Sequence, residues 1–295
     1  MKPQFDNKVM SSFLLWFDHT LLNDGEAYVN HSGKFYEADS LYNGFYTYSA
    51  PFKQFVSDFS ITGAKIPTGI YLDGVFITPG QSNLTGINYD QGQVYFTSEI
   101  TNAANRLSGV YAIKDYTVYL TNEAEERLLF ETKFNLRPKT TQVETGLEPN
   151  QITYPAIFLR NNGSTNEPFA LGGYDNTIIN VRAIVLADSQ YMLDAVCSIF
   201  RDKTRTLVTL LEDYEMPYNA LGGYKNAVKY NYTGIITGKP SENQYISVQE
   251  VTVSKFNRDV NFKINNLNPG VFNGVIDFEI SKPRYARRAY FNGDL

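Results

Sequence analysis

Residues 69–98 read GIYLDGVFITPGQSNLTGINYDQGQVYFTS, and this stretch decides the class of fold. Two short apolar runs, Ile70-Tyr71-Leu72 and Val75-Phe76-Ile77, flank Asp73-Gly74. That dipeptide tolerates the left-handed backbone of a two-residue turn, whose twist matches an antiparallel hairpin. A second pair, Ile87-Asn88-Tyr89 and Val94-Tyr95-Phe96, flanks Asp90-Gln91-Gly92 and predicts a hairpin with a longer loop. Outward from here the apolar period stays at two. Leu128, Phe130, Phe134 and Leu136 alternate with Arg127, Glu131, Lys133 and Asn135. Val260, Phe262 and Ile264 alternate with Asn261, Lys263 and Asn265, and Ile276, Phe278 and Ile280 with Asp277 and Glu279. Each run predicts a half-buried strand.

One segment breaks the pattern. After the strand-like Val181 to Leu186, Asp188-Ser189 supplies an N-cap, and Tyr191, Met192, Ala195, Val196, Ile199 and Phe200 recur at helical spacing. Arg201 and Lys203 at its end suit the helix dipole. Near the N-terminus, Val9, Phe13, Phe17 and Leu21 recur every four residues, as in a helix. The same residues also permit a hairpin, Phe13 to Leu22 against Tyr28 to Tyr36, turning at Asp24-Gly25; the β surroundings favour the hairpin. The polar stretch RPKTTQVETGLEPN, 137–150, predicts a boundary. The expected fold is mostly β (α+β). A β-rich N-terminal domain with hairpins spans 1–140. An α+β C-terminal domain spans 150–295, with one main helix packed on an antiparallel sheet and a basic C-terminal tail. ALGGYDN at 170–176 returns as ALGGYKN at 220–226, without matching strands around it, and predicts two similar loops at one end of a sheet, not a duplication.

Chemistry-bearing patterns are sparse. The net charge of -5 offers no general attraction to nucleic acid or to an anionic membrane. Two histidines, His19 and His31, and one cysteine, Cys197, are too few for the usual zinc sites, so no metal and no cofactor is expected. The single cysteine also forbids an intrachain disulfide. His19 beside Asp18 has no nucleophile motif near it and reads as a structural histidine. Gly172-Gly173 and Gly222-Gly223 lack phosphate-loop spacing and read as turn glycines. Glu123-Ala124-Glu125-Glu126 reads as a solvated loop. Four N-x-[ST] sequons, at Asn30, Asn83, Asn162 and Asn231, carry no weight without a secretory leader. The N-terminal residues have no cleavage pattern, and a signal peptide is not expected. No enzyme activity is expected.

Aromatics are abundant instead, with 22 Tyr and 20 Phe. Such side chains build thick β cores and also serve part-wet interfaces. In an acidic protein the C-terminal segment stands apart: Lys282, Arg284, Arg287 and Arg288 alternate with Tyr285 and Tyr290. Arg284, Tyr285, Arg287, Arg288 and Tyr290 are the candidate interface residues, an arm for an acidic patch on a neighbouring copy.

The stretch 69–98, with its YD-x-G-x-V-x-F hairpin, resembles virion proteins of tailed bacteriophages. SFLLWFDHTLLNDGEAYVN (12–30) and NVRAIVLADSQYMLDAVCSIFRD (180–202) are similar to the same group, of the neck or tail-completion type. The resemblance implies a ring of identical copies that joins head to tail or terminates the tail, with other virion neck and tail proteins as partners. It implies a virion location after assembly in the host cytoplasm and no catalysis; the acidic charge and the lack of a long apolar run add the expectation of no membrane and no specific nucleic acid partner. A baseplate or tail-fibre component, a carbohydrate-binding β-sandwich module and an unrecognised hydrolase are the other readings.

Overall fold

A computed structural model describes residues 4–38, 41–52, 54–131, 135–136, 153–170, 174–219, 222–225, 229–239, 244–256 and 271–285. The chain opens with helix α1 (Phe5–Asp24) and continues with strands β1 (Tyr28–Lys34), β2 (Tyr36–Glu37), β3 (Tyr46–Ser49), β4 (Ile70–Leu72), β5 (Val75–Ile77), β6 (Leu84–Asn88) and β7 (Gln93–Phe96). A one-turn helix α2 (Ala103–Arg106) leads into β8 (Leu107–Lys114), β9 (Thr117–Leu120) and a π-helical turn, Arg127–Glu131. Then come the two-residue strands β10 (Asn135–Leu136) and β11 (Thr153–Tyr154), the long β12 (Ala156–Ala170) and β13 (Tyr174–Ala187), helix α3 (Gln190–Arg201) and β14 (Leu207–Thr209). After a short helix α4 (Tyr232–Thr237), β15 (Tyr245–Lys255) and β16 (Phe272–Tyr285) complete the described chain.

The fold is mostly β, of the α+β kind. Both expected hairpins form: β4 pairs β5 across Asp73-Gly74, with Asp73 at φ 52 and Gly74 at φ 80, and β6 pairs β7 across residues 89–92. Two four-stranded sheets, ordered β1-β8-β4-β5 and β2-β3-β7-β6, enclose one core of Phe35, Tyr48, Phe55, Ile87, Phe96, Tyr111 and Ile113. A six-stranded sheet, β14-β15-β16-β13-β12-β9, carries the larger core. The expected strand around Ile276–Ile280 lies within β16, at the centre of that sheet.

The N-terminal segment is a helix and not the favoured hairpin. Val9, Phe13, Phe17 and Leu21 are all at most 3% exposed, on a face turned to Phe200 and Phe278. Phe17 stacks on Phe200 with ring centroids 3.8 Å apart, and Phe13 meets Phe278 edge-on at 5.0 Å. Residues four apart would share a face in a strand as well, so the packing on Phe200 and Phe278, not the spacing, makes the segment a helix. Gly25 is the helix C-cap, its N–H donating to Leu21 O at 3.1 Å. A Cβ at Gly25 would lie 2.7 Å from the same oxygen, which accounts for glycine there.

The expected strand from Arg127 to Leu136 is also corrected. Arg127–Glu131 is a π-helical turn, and Leu128 and Leu129 are both buried. Consecutive burial does not fit the half-buried strand expected, in which alternate residues face solvent. The two leucines cover Phe158, Ile184 and Leu186 on the sheet face opposite α1. Among the described residues of that run, 135–136 are the ones in a strand. The run at 260–264 lies outside the described residues.

Helix α3 stands where the spacing put it, with Ser189 Oγ accepting from Met192 N at 3.2 Å. Its buried face is rotated from the expected one. Leu193, Val196, Cys197 and Phe200 are buried, whereas Tyr191 is 81% exposed. Gly274 on β16 allows the close approach, since a Cβ there would lie 2.9 Å from Leu193 Cδ1.

The stretch expected to separate two domains lies outside the described residues. The larger core draws on both sides of it, because α1 and Tyr116 and Val118 beside and in β9 pack with β12, β13, α3 and β16. β9 also pairs in parallel with β12, Thr117 opposite Ala156.

Candidate functional site

The long strands β12, β13 and β16 extend past the core as a ribbon. Pairing of β13 with β16 runs without interruption from Ala187–Phe272 to Tyr174–Tyr285. Along β13, residues 175, 177, 179 and 181 are buried on the side of α1, while Tyr174, Asn176, Ile178 and Asn180 point the other way. β9 accompanies β12 only as far as Leu159, so among the described residues 161–170 form a sheet edge. That edge is blunted against further strand pairing: register shifts fall at 161/163 and 168/170, Gly163 has φ 128, and Pro168 has no N–H to offer. Contact at this end is left to side chains.

The candidate interface residues divide at this ribbon. Tyr285, 56% exposed, packs edge-on against Tyr174 at 4.9 Å, and Tyr174 against Phe169 at 5.9 Å; Phe169 is 62% exposed. These three rings from three strands make one aromatic row at the ribbon's tip. Arg284 points to the other face. Its Nε donates to Thr177 Oγ1 at 2.8 Å, and its guanidinium lies 3.9 Å from the centroid of Phe5. Desolvation holds its pKa below the ordinary value, partly opposed by Asp6 and Asp175. Arg284 therefore fastens the start of α1 to the ribbon, helped by Ser164 Oγ donating to Asp6 at 2.8 Å. Lys282 is likewise engaged, donating to Tyr245 O at 2.6 Å. Arg287, Arg288 and Tyr290 lie outside the described residues.

The ribbon face bearing the aromatic row continues into an acidic concavity of about 380 Å³. It is lined by Asn180, Arg182, Glu250, Thr252, Asp277 and Glu279. Arg182 is committed within it. Nε and Nη2 grip Asp277 at 2.7 and 2.9 Å, and Nη1 donates to Glu125 at 2.8 Å, so Glu125 is an anchor and not the solvated loop residue expected. Glu250 and Glu279 are direct cross-strand partners, and neither meets a cation among the described residues. Like charges set opposite each other in a sheet are unfavourable.

His19 is held inside the fold. Its Nδ1 donates to Asp58 Oδ2 at 2.7 Å, and its ring lies 4.6 Å from that of Tyr232. Burial alone would raise the Asp58 carboxyl, but hydrogen bonds from His19, Tyr232 N and Ser60 outweigh it and hold the pKa below the usual 3.8. Ser60 Oγ donates to Asp58 and stands on the same side of the imidazole, 3.5 Å from Nδ1. A nucleophilic relay needs serine and carboxylate on opposite nitrogens. Cys197 is buried against α3's neighbours, where desolvation raises its thiol pKa. The loop at Gly222-Gly223 does not share a sheet end with the first ALGG run; it packs on the β6–β7 hairpin, Tyr89 N donating to Gly222 O at 3.3 Å. Residues 171–173 of the first run lie outside the described residues.

Sequence reasoning singled out Tyr285 but not Phe169 or Tyr174, which only strand pairing brings beside it. The repeated Pro-aromatic and Gly-Gly-Tyr signals at 168–169 and 172–174 were the available clue. No known protein-family model matches the chain, and no curated protein is detectably similar to it.

Proposed function

We propose that the protein is a structural subunit of a tailed-phage virion, of the neck or tail-completion type, acting by assembly with copies of itself. The carrying observation is the aromatic row in which exposed Phe169 and Tyr285 flank half-buried Tyr174, at the tip of a ribbon whose edge is blunted against strand pairing. Rigid exposed aromatics at a protruding tip supply contact area at little entropic cost, as at interface anchors. The acidic concavity beside the row offers the complement. Glu250 and Glu279 face each other without a cation among the described residues, and the segment after Tyr285 carries Arg287 and Arg288. The occupant of this face is the basic end of a neighbouring copy. In a head-to-tail ring every subunit gives one such end and receives one. Other neck and tail proteins of the virion would flank the ring.

Light scattering on the purified chain tests this. A closed oligomer is expected, weakened by deleting residues 286–295, by Glu250→Gln with Glu279→Gln, and by Phe169→Ser with Tyr285→Ser. A chain that stays monomeric at all concentrations, or variants that assemble like the parent, would overturn it.

A further inference from the structure

We infer that the cleft between the two cores binds a neutral pyranose sugar. This site is independent of the assembly surface. The cleft has a volume of about 590 Å³, within the range of small-ligand pockets. Its floor is polar and buried. Asp18 Oδ1 accepts from Lys114 Nζ at 2.8 Å, and these side chains are only 10% and 11% exposed. Asp18 comes from α1 and Lys114 from the end of β8, so the floor exists only where the helix crosses the smaller sheets.

The rim is held in place with unusual care. Gln54 is 1% exposed and sits at φ 45, a left-handed conformation costly for a residue with a side chain. Its amide spans the cleft wall: Nε2 donates to Val118 O and to Asp90 Oδ1, each at 2.9 Å, and Oε1 accepts from Val118 N at 2.8 Å. Asn88 Oδ1 accepts from the backbone N–H groups of Asp90 and Gln91. Asp90, the group these bonds position, is itself exposed at the mouth. Two side-chain amides hold that carboxylate, Gln54 Nε2 on Oδ1 at 2.9 Å and Gln91 Nε2 on Oδ2 at 3.1 Å, while Asn88 fixes the backbone behind it.

Rings complete the lining. Tyr42, half-buried, is stacked on Tyr95 at 5.2 Å, and Tyr119 on Phe158 at 5.5 Å. Two carboxylates offer acceptors for vicinal hydroxyls, Lys114 offers N–H donors, and tyrosine faces suit the C–H face of a pyranose. Asp18, Asp90 and Lys114 leave the cleft with one excess negative charge, which disfavours phosphorylated or carboxylated ligands. A pyranose fits the volume, the donor and acceptor set, and the aromatic walls together.

The test is saturation-transfer NMR and titration calorimetry of the full chain with glucose, galactose, mannose and N-acetylglucosamine, and with spermidine as a cationic probe. Saturable binding of at least one sugar is expected, with Kd on the order of 0.1–10 mM, as befits about a dozen heavy atoms. Tyr42→Ala and Asp90→Asn, both near the mouth, are each expected to weaken it at least about tenfold, the scale of one lost stacking or charged hydrogen bond. Tyr191→Ala on the exposed face of α3 is expected to leave it unchanged. The inference is overturned if none of the four sugars binds, if only spermidine binds, or if both mouth variants bind sugar like the parent.

Discussion

Asp58 shows how one buried carboxylate ties distant segments together. It is 1% exposed and accepts from His19, from Ser60 and from the backbone of Tyr232, joining α1, the loop after β3 and the start of α4. Asp58→Ala is expected to destabilise the fold by about 2–4 kcal/mol, because it leaves buried donors unpaired. The pH sign follows from the direction of the shift. A carboxyl whose folded pKa is depressed contributes its stability in full above its unfolded value near 3.8 and loses it as pH falls through the folded value. Chemical denaturation of parent and variant should therefore differ most above pH 3.8 and converge below it; a constant gap down to strongly acid pH would refute the assignment. The sequence offered the neighbouring pair Asp18-His19, but the carboxylate that holds His19 lies 39 residues on, and no local pattern announces it.

At the scale of elements, local chemistry was readable and faces were not. The hairpins at 73–74 and 89–92 and the cap at Ser189 depend on residues adjacent in the chain, and all are present. α1 is different, because Phe13, Phe17 and Leu21 satisfy a helix as well as the ends of a hairpin. Burial against Phe200 and Phe278 decides between them, and those partners lie some 180 or more residues away. The rotation of α3 has a similar cause. Its apolar stripe is wide enough for two settings, and Gly274 opens space under Leu193 and Cys197 instead of Tyr191. Val196→Asp should consequently abolish soluble expression, since an unpaired carboxylate would enter the core, whereas Tyr191→Asp should melt within about 1 °C of the parent, as for a surface change. Gly274→Val tests the approach itself. Overpacking of about 1–3 kcal/mol is expected, read as a lowered melting midpoint. The cleft was illegible for a related reason: Asp18, Tyr42, Gln54, Asp90, Lys114 and Tyr119 belong to six segments with no shared spacing.

For the whole molecule the question is whether the six-stranded sheet stands without the first half of the chain. One face of that sheet is covered by α3 and by α1. α1 contributes Val9, Phe13, Trp16, Phe17 and Leu21, all at most 6% exposed. At about 1.5–3 kcal/mol for each large apolar side chain removed from water, the helix supplies roughly 7–15 kcal/mol. The net stability of an ordinary domain is about 5–15 kcal/mol, so the loss is of the same size as the whole. Removing it also uncovers Phe200 and Phe278 as a contiguous apolar patch, which favours aggregation. A fragment of residues 150–295 is therefore expected to lack a cooperative thermal transition and to have weak near-ultraviolet circular dichroism. Adding residues 1–25 as a separate peptide should restore part of both signals, because the helix recognises its seat through Phe17 on Phe200 and Arg284 over Phe5. The same peptide with Phe13→Ala and Phe17→Ala should not. If the fragment alone melts cooperatively with full aromatic dichroism, the sheet carries its own core and α1 is an accessory strap.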